Sequence, residues 1–208
     1  MEPVTLGDDE VLLSRPVEDD IAALVEHCAD PEIVAFTTVP VPYDRDYATR
    51  YVQELVPQRW ASGKKLVWGI RRRQLPGRLL GVINLFDVDT GRGTAEVGYW
   101  LAKEGRGKGI ATRAVSIVLD YAFLAESAGG LGLFRVQWTA AVENAASRRV
   151  AEHVGLRYEG LLRGALVLRG RRTDALRAAV LASDERVPQE WVIADEALHT
   201  LSLPGPYN

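Results

Sequence analysis

Apolar positions recur along this chain with two periods, and the places where one period gives way to the other outline the fold. The opening run at 11–15 predicts a strand. After Pro16, the residues Ile21, Leu24, Val25 and Cys28 fall at helical spacing and predict a helix that buries one stripe. Residues 36–43 hold two prolines and are expected to be irregular and extended. Asp44 is placed to cap a second helix, with Tyr47, Tyr51 and Leu55 on one face. Residues 66–70 and 79–86 read as strands joined by a polar turn at 71–78, whose Arg71, Arg72 and Arg73 are expected in solvent.

Thr94 to Leu101 reads as a third strand, followed at once by glycine-rich residues 105–109 and a helix of about four turns. Its core face is marked by Val115, Val118, Leu119, Ala122 and Phe123. A strand at 134–140 alternates Phe134, Val136 and Trp138 against polar neighbours, and a short helix at 143–154 ends at Gly155. Residues 161–168 and 174–181 form a closing hairpin. Strands and helices interleave while the middle strands are joined by hairpins. The expected class is therefore α/β (α+β): one domain over 1–185, a mixed and mainly antiparallel sheet with helices on both faces. Residues 186–208 include Trp191, Val192, Ile193, Leu198 and His199 but show no period, and are set apart as a C-terminal extension without a readable role.

Composition narrows the function classes. With 208 residues, 47% apolar and 25% charged, the chain suits a globular protein. A single cysteine, Cys28, excludes an internal disulfide framework. His27, His153 and His199 lie far apart without cysteine partners at zinc spacing, so no metal is expected. No apolar run approaches the ~20 residues of a membrane span, and the acidic N-terminus is unlike a signal peptide, so a cytoplasmic protein with no membrane partner is expected. The net charge of −3 argues against a nucleic-acid partner.

The glycine stretch Gly105-Arg106-Gly107-Lys108-Gly109-Ile110-Ala111-Thr112 lies between a strand and a helix, where backbone N–H groups can hold an anion. A dinucleotide fingerprint fails at Ile110 and Thr112, and a P-loop fails because Ile110 follows Gly109. What remains is a basic-flanked glycine turn, suited to a pyrophosphate but, taken alone, more often an ordinary solvated turn.

Its neighbours give it context. Leu12-Leu-Ser-Arg-Pro with Glu18-Asp19, Ala95-Glu-Val-Gly-Tyr-Trp-Leu101, Gly107-Lys-Gly-Ile-Ala-Thr112, Tyr121-Ala-Phe123, Asn144-Ala-Ala-Ser147 with Tyr158-Glu-Gly160, and Arg172-Thr-Asp174 occur in order. Together they resemble the GNAT superfamily of acetyl-CoA-dependent N-acetyltransferases, in its ribosomal-protein N-terminal (Rim-type) branch. The resemblance runs from about residue 11 to 182. It departs from the pattern at Glu104, where many members carry Gln or Arg, and at Ala151, where many carry a tyrosine that serves the leaving thiolate.

The resemblance implies acetyl-CoA as acyl donor and a primary amine as acceptor, joined in a ternary complex. It implies that Arg106, Gly107, Lys108, Gly109, Ile110, Ala111 and Thr112 hold the pyrophosphate, that the strand near Trp100 and Leu101 pairs with the pantetheine, and that Asn144 supports it. Ser147 is implied to meet the departing thiolate, and Glu96, on the strand facing the thioester, is the leading base. Asn144 also reads as a plain helix cap and Ser147 as a surface serine. Tyr47, Tyr51, Tyr99 and Trp100 suit either an acceptor groove or the core. A non-catalytic acyl-CoA-binding sensor is the alternative, and a homodimer is possible by analogy.

The acceptor has no code in the segments that would meet it: residues 36–43, the second helix, the 87–93 turn and the C-terminal extension. Charge offers one clue. Residues 1–60 carry 13 acidic and 4 basic side chains, while 61–208 carry 15 and 21. If the acidic part meets the acceptor, a basic peptide N-terminus or a small cationic amine is expected.

Overall fold

The eight-residue strand Lys65–Arg72 shows how one sequence serves two layers. Alternate side chains of a strand point to opposite faces. Trp68 turns one way and packs edge-on against Tyr121, ring centroids 6.0 Å apart. Arg71 turns the other way and reaches Asp20, at the start of the first long helix. Both faces are thus covered, and six consecutive residues of this strand are buried.

In chain order the computed structural model, which describes residues 1–193, contains β1 (Leu6–Gly7), β2 (Val11–Ser14), α1 (Ile21–Cys28), α2 (Pro31–Phe36) and α3 (Arg45–Arg50). A π-turn, Tyr51–Leu55, joins α3 to α4 (Val56–Ser62). Then come β3 (Lys65–Arg72), β4 (Gly81–Asp89), β5 (Thr94–Leu101), α5 (Ile110–Phe123), β6 (Arg135–Ala141), α6 (Ala145–His153), β7 (Arg157–Leu168) and β8 (Arg171–Leu181). The strands form one sheet in the order β1-β2-β3-β4-β5-β6-β8-β7. Every pairing is antiparallel except β5 with β6. The expected mixed, mainly antiparallel sheet between helices is the fold found.

Local chemistry sets the helix starts. Asp44 accepts from the Tyr47 N–H at 2.8 Å and caps α3 as expected. Asp30 does the same for α2, accepting from Glu32 N–H with Pro31 at the first turn. The short helix α2 escapes hydrophobic periodicity, although its Asp-Pro start is a readable signal.

Two positions differ from expectation. Arg71 is 3% exposed rather than solvated, because β3 runs on to Arg72. Its guanidinium grips Asp20 through two bonds of 2.8 and 2.6 Å, and its Nε donates to Ser14 Oγ at 3.0 Å. Phe134, expected inward, precedes β6 and is 57% exposed.

In the C-terminal extension, Trp191 packs on Trp138 and Tyr158, with ring centroids 5.6 and 5.7 Å apart. Its indole N–H donates to the Leu156 carbonyl at 2.9 Å. Leu198 and His199 lie outside the described residues. Among those described, no helix is long and apolar enough to cross a membrane, and no cluster of His, Cys, Asp or Glu could hold a metal ion.

Candidate functional site

β5 and β6 pair over three positions only, Thr94↔Arg135, Ala95↔Val136 and Glu96↔Gln137. Past them the strands separate, leaving that edge of β5 without a β6 partner as far as Leu101. Two cavities, of about 800 and 530 Å³, occupy the region, and Phe36, Thr37, Tyr99, Trp100, Asn144 and Ser147 line both.

The larger cavity ends on the glycine loop. Gly107 and Gly109 have φ of 70° and 71°, the left-handed region where a side chain is strained. A Cβ built at either would meet nothing within 4 Å, so the space above the loop is open. Helix α5 begins without a side-chain cap, and its first backbone bond runs from Arg113 N–H to Gly109 at 3.0 Å. The N–H groups of Ile110, Ala111 and Thr112 therefore remain at the positive end of a 14-residue helix.

Side chains add less than the sequence suggested. Arg106 is taken up by Asp30 at 2.7 Å, by Glu32 and by the Leu101 carbonyl. Lys108 donates to the Glu104 carbonyl at 2.9 Å and does not line the cavity. Glu104 turns to Arg78, whose hydrogen bond holds its carboxyl below the usual carboxylate range. Leu101, Arg106, Gly107, Gly109, Ile110, Ala111, Thr112 and Asn144 do line it. So do Arg149, which the sequence reading did not single out, and His153, which it set aside. Their four-residue spacing within α6 was the available signal.

At the junction, Asn144 caps α6, its Oδ1 accepting from the Ser147 N–H at 3.1 Å. Ser147 Oγ accepts from the Trp138 indole at 3.0 Å and donates to the Tyr99 oxygen at 3.1 Å. The Tyr99 hydroxyl donates to the Ser147 carbonyl, also at 3.1 Å. Burial raises the Tyr99 phenol further above its ordinary range, against the opposing hydrogen bonds of Ser147 and Trp138, so it stays protonated. Two neutral hydroxyls thus stand together where the cavities meet.

The smaller cavity uses one face of the sheet as its floor. Pairing aligns Lys65 with Phe86 and Phe86 with Glu96. The neighbouring rows place Asn84 beside Gly98 and Val82 beside Trp100. All seven of these residues line the cavity. Opposite them stand Leu24 and Cys28 of α1, residues 36–40, Tyr43, and Tyr47 and Tyr51 from the second helical stretch. Leu166 and Leu168 of the β7–β8 hairpin complete the wall. The hairpin is tied down by Arg169, which donates to the Val34, Thr37 and Val39 carbonyls. Burial pushes the Cys28 thiol up to about 12, which keeps it a protonated wall residue rather than a nucleophile.

The charges of this cavity oppose the expectation drawn from the two parts of the sequence. Its charged residues are one carboxylate, Glu96, and two cations, Arg59 and Lys65. Glu96 accepts from Gln137 Nε2 at 3.0 Å. The acidic residues of the first sixty are largely engaged elsewhere. Asp8, Asp9 and Glu10 hold Arg113; Asp20 holds Arg71; Asp30 and Glu32 hold Arg106; Asp44 caps α3. Net charge by segment missed this because folding pairs the acidic segment with basic residues remote in sequence.

Comparison with known proteins places these features in a family. Residues 10–157 match the acetyltransferase (GNAT) domain. The chain is 41% identical over 135 residues, 64% of its length and 70% of the relative's, to YdaF of Bacillus subtilis (strain 168), a protein that carries the name of a ribosomal N-acetyltransferase. It is 30% identical over 105 residues, half of this chain and 58% of the relative, to spermidine N(1)-acetyltransferase of Vibrio cholerae. Among solved structures, Mycobacterium smegmatis RimJ in complex with CoA-disulfide superposes with a TM-score of 0.76 at 28% identity, covering 88% of this chain and 90% of that one.

Proposed function

From its membership of the GNAT acetyltransferase family, we propose that this chain, which moves an acetyl group from acetyl-CoA to an amine, does so by direct transfer while both substrates occupy its two joined cavities. The observation that carries this is the shared lining: Tyr99, Trp100, Asn144 and Ser147 border both cavities. A group delivered along the larger cavity would meet an amine entering from the smaller one.

The donor's phosphates fit the glycine loop, where open space lies over Gly107 and Gly109 and unpartnered N–H groups follow at Ile110, Ala111 and Thr112. Backbone amides and the helix dipole supply that attraction, with Arg149 a further cation at the cavity wall beside the carboxylate-bound Arg106. Arg106 acts by fixing the loop to α2 through Asp30 and Glu32, and Lys108 by bracing its start. The free edge of β5 at Trp100 and Leu101 offers backbone groups to the pantetheine amides, with Asn144 nearby. Acetyl-CoA supplies the activated thioester.

Glu96 serves as base at the acceptor end, held in place by Gln137. Its work is modest for an α-amine, whose pKa of ~8 leaves part of it neutral near pH 7, against ~10.4 for a lysine. Ser147 turns its hydroxyl proton from the Tyr99 oxygen to the departing thiolate, its Oγ polarised by the Trp138 N–H. Tyr99 orients Ser147 and is the second hydroxyl within reach. The acceptor is a peptide α-amine or a small amine.

Initial rates at varied acetyl-CoA and amine should give intersecting double-reciprocal lines, with no acetylated protein formed from acetyl-CoA alone. Parallel lines and an acetyl-protein intermediate would overturn direct transfer. Ser147→Ala should lower kcat roughly tenfold, the worth of one charge-assisted hydrogen bond, with little change in KM for acetyl-CoA. An unchanged kcat with chemistry rate-limiting would remove Ser147 from the reaction.

A further inference from the structure

The wall of the acceptor cavity carries two cations, Arg59 and Lys65, that the transfer reaction does not use. Lys65, Phe86 and Glu96 stand in one cross-strand row on β3, β4 and β5. Paired residues share a face, so all three point into the cavity that they line. Two strand spacings separate Lys65 from Glu96, roughly 10 Å between their backbones. Arg59, from α4, lines the same cavity.

Neither cation is neutralised. Among the described residues no carboxylate lies within ion-pair distance of Arg59 or Lys65. Each lies against an aromatic residue: Lys65 Nζ is 5.5 Å from the Phe86 centroid, and the Arg59 guanidinium is 5.2 Å from that of Tyr51, whose hydroxyl it also hydrogen-bonds. Such contacts hold a cation in place and leave its charge for another partner. Burial, and then the neighbouring Arg59, hold the Lys65 ammonium below its ordinary range, against a weaker pull from Asp87. Two cations in the wall of one cavity, neither in ion-pair contact with a carboxylate, form an incomplete arrangement that an anion would complete.

Resting on the acetyl-transfer reading above, we propose that Lys65 and Arg59 are specificity-determining residues that bind an anionic group on the acceptor, and that the preferred acceptor is a peptide α-amine with an acidic residue at its second or third position. The ruler on the sheet selects this class. The amine is set at the Glu96 end of the row and the anion at the Lys65 end. A carboxylate on the α-carbon stays beside the amine, whereas one on the second or third residue is carried along the row toward Lys65. Two or three residues, met by the long lysine and arginine side chains, cover it. A cavity of about 530 Å³ accommodates such a chain end. Glu96 alone would favour cations generally; with Lys65 and Arg59 opposite, a polyamine brings like charge to the far end.

The test uses full-length protein, acetyl-CoA and short peptides that differ only in Glu, Gln or Lys at positions two and three, with spermidine as a cationic acceptor. The expected order in kcat/KM is Glu above Gln above Lys, with Glu over Gln about tenfold or more. K65M and R59M should each shrink that ratio, K65E should turn it toward the Lys peptide, and K65R should keep it. The ratio is taken within each variant, so a change in folded fraction cancels. Equal rates for Glu and Gln, preference for Lys or spermidine, turnover confined to single amino acids, or a ratio that survives K65M would overturn the assignment. If no amine releases thiol, the acetyl-transfer reading fails instead. Calorimetric binding of the Glu peptide over the Gln peptide to the CoA-loaded protein then decides the anion site, supporting it if selective and overturning it if not.

Discussion

Gly109→Glu is expected to reduce the affinity for CoA at least ~100-fold while leaving the protein folded. Gly109 precedes α5 with φ of 71°, so any side chain there incurs about 1–2 kcal/mol of left-handed strain. A Cβ at this position meets no other atom within 4 Å, so no steric cost is added. The new carboxylate lies beside the free N–H groups of Ile110, Ala111 and Thr112, where it offsets part of the strain. The same contact excludes the donor: the loop is occupied by its own anion and repels the phosphates. Titration calorimetry with CoA measures the loss. Gly109→Ala separates the causes, since it carries the strain without the charge and should bind far better than Gly109→Glu. Equal, wild-type-like affinities in both would move the phosphate site away from this loop.

The largest effect on stability is expected at a pair remote from the chemistry. Asp20 and Arg71 are 2% and 3% exposed and joined by two hydrogen bonds. Asp20→Ala strands a guanidinium inside the fold and should cost about 3–5 kcal/mol, or roughly 10 °C in Tm for a chain of this size. The pair itself contributes far less than its rupture costs, because both charges were desolvated to form it. The double replacement Asp20→Leu with Arg71→Met should therefore recover most of the loss. Chemical denaturation midpoints of the two variants check this. A loss under ~1 kcal/mol in Asp20→Ala would mean that water reaches Arg71.

Arg71 also shows where a linear reading stops. The run Arg71-Arg72-Arg73 before Pro76 looks like a solvated turn because local composition dominates such a judgement. The period-2 rule, extended two residues past Ile70, puts Arg71 on the same face as Lys65 and Val67, and that face is interior. Its partner lies 51 residues away in another acidic run, Glu18-Asp19-Asp20, and no local pattern connects them. The same limit applied to charge. The acidic excess of the first sixty residues was legible, whereas its distribution among Arg71, Arg106 and Arg113 is a property of the fold.

Elements with strong periodicity were legible throughout. Helix α1 and strand β5 occupy the expected residues, and the glycine loop opens α5 as anticipated. The functional cluster was legible in part. Asn144, Ser147 and Trp100 meet at the cavity junction because they lie at the end of β5 and the start of α6, which the separation of β5 from β6 brings together. Tyr99 was seen only as a possible groove or core aromatic. Its hydrogen bonds to Ser147, across 48 residues, required the fold. Arg59 and Lys65 were unremarked because a cation between aromatic residues has no local signature; their importance comes from the cross-strand register with Glu96.

The central claim is that two cavities meeting at Tyr99 and Ser147 bring a thioester and an amine together. The most direct measurement is release of free CoA thiol from acetyl-CoA in the presence of a panel of N-terminal peptides and small amines. Thiol release that depends on the acceptor and matches the acetylated amine formed is the predicted result. Tight CoA binding with no acceptor-dependent release across the panel would contradict the account and leave an acyl-CoA-binding module in its place.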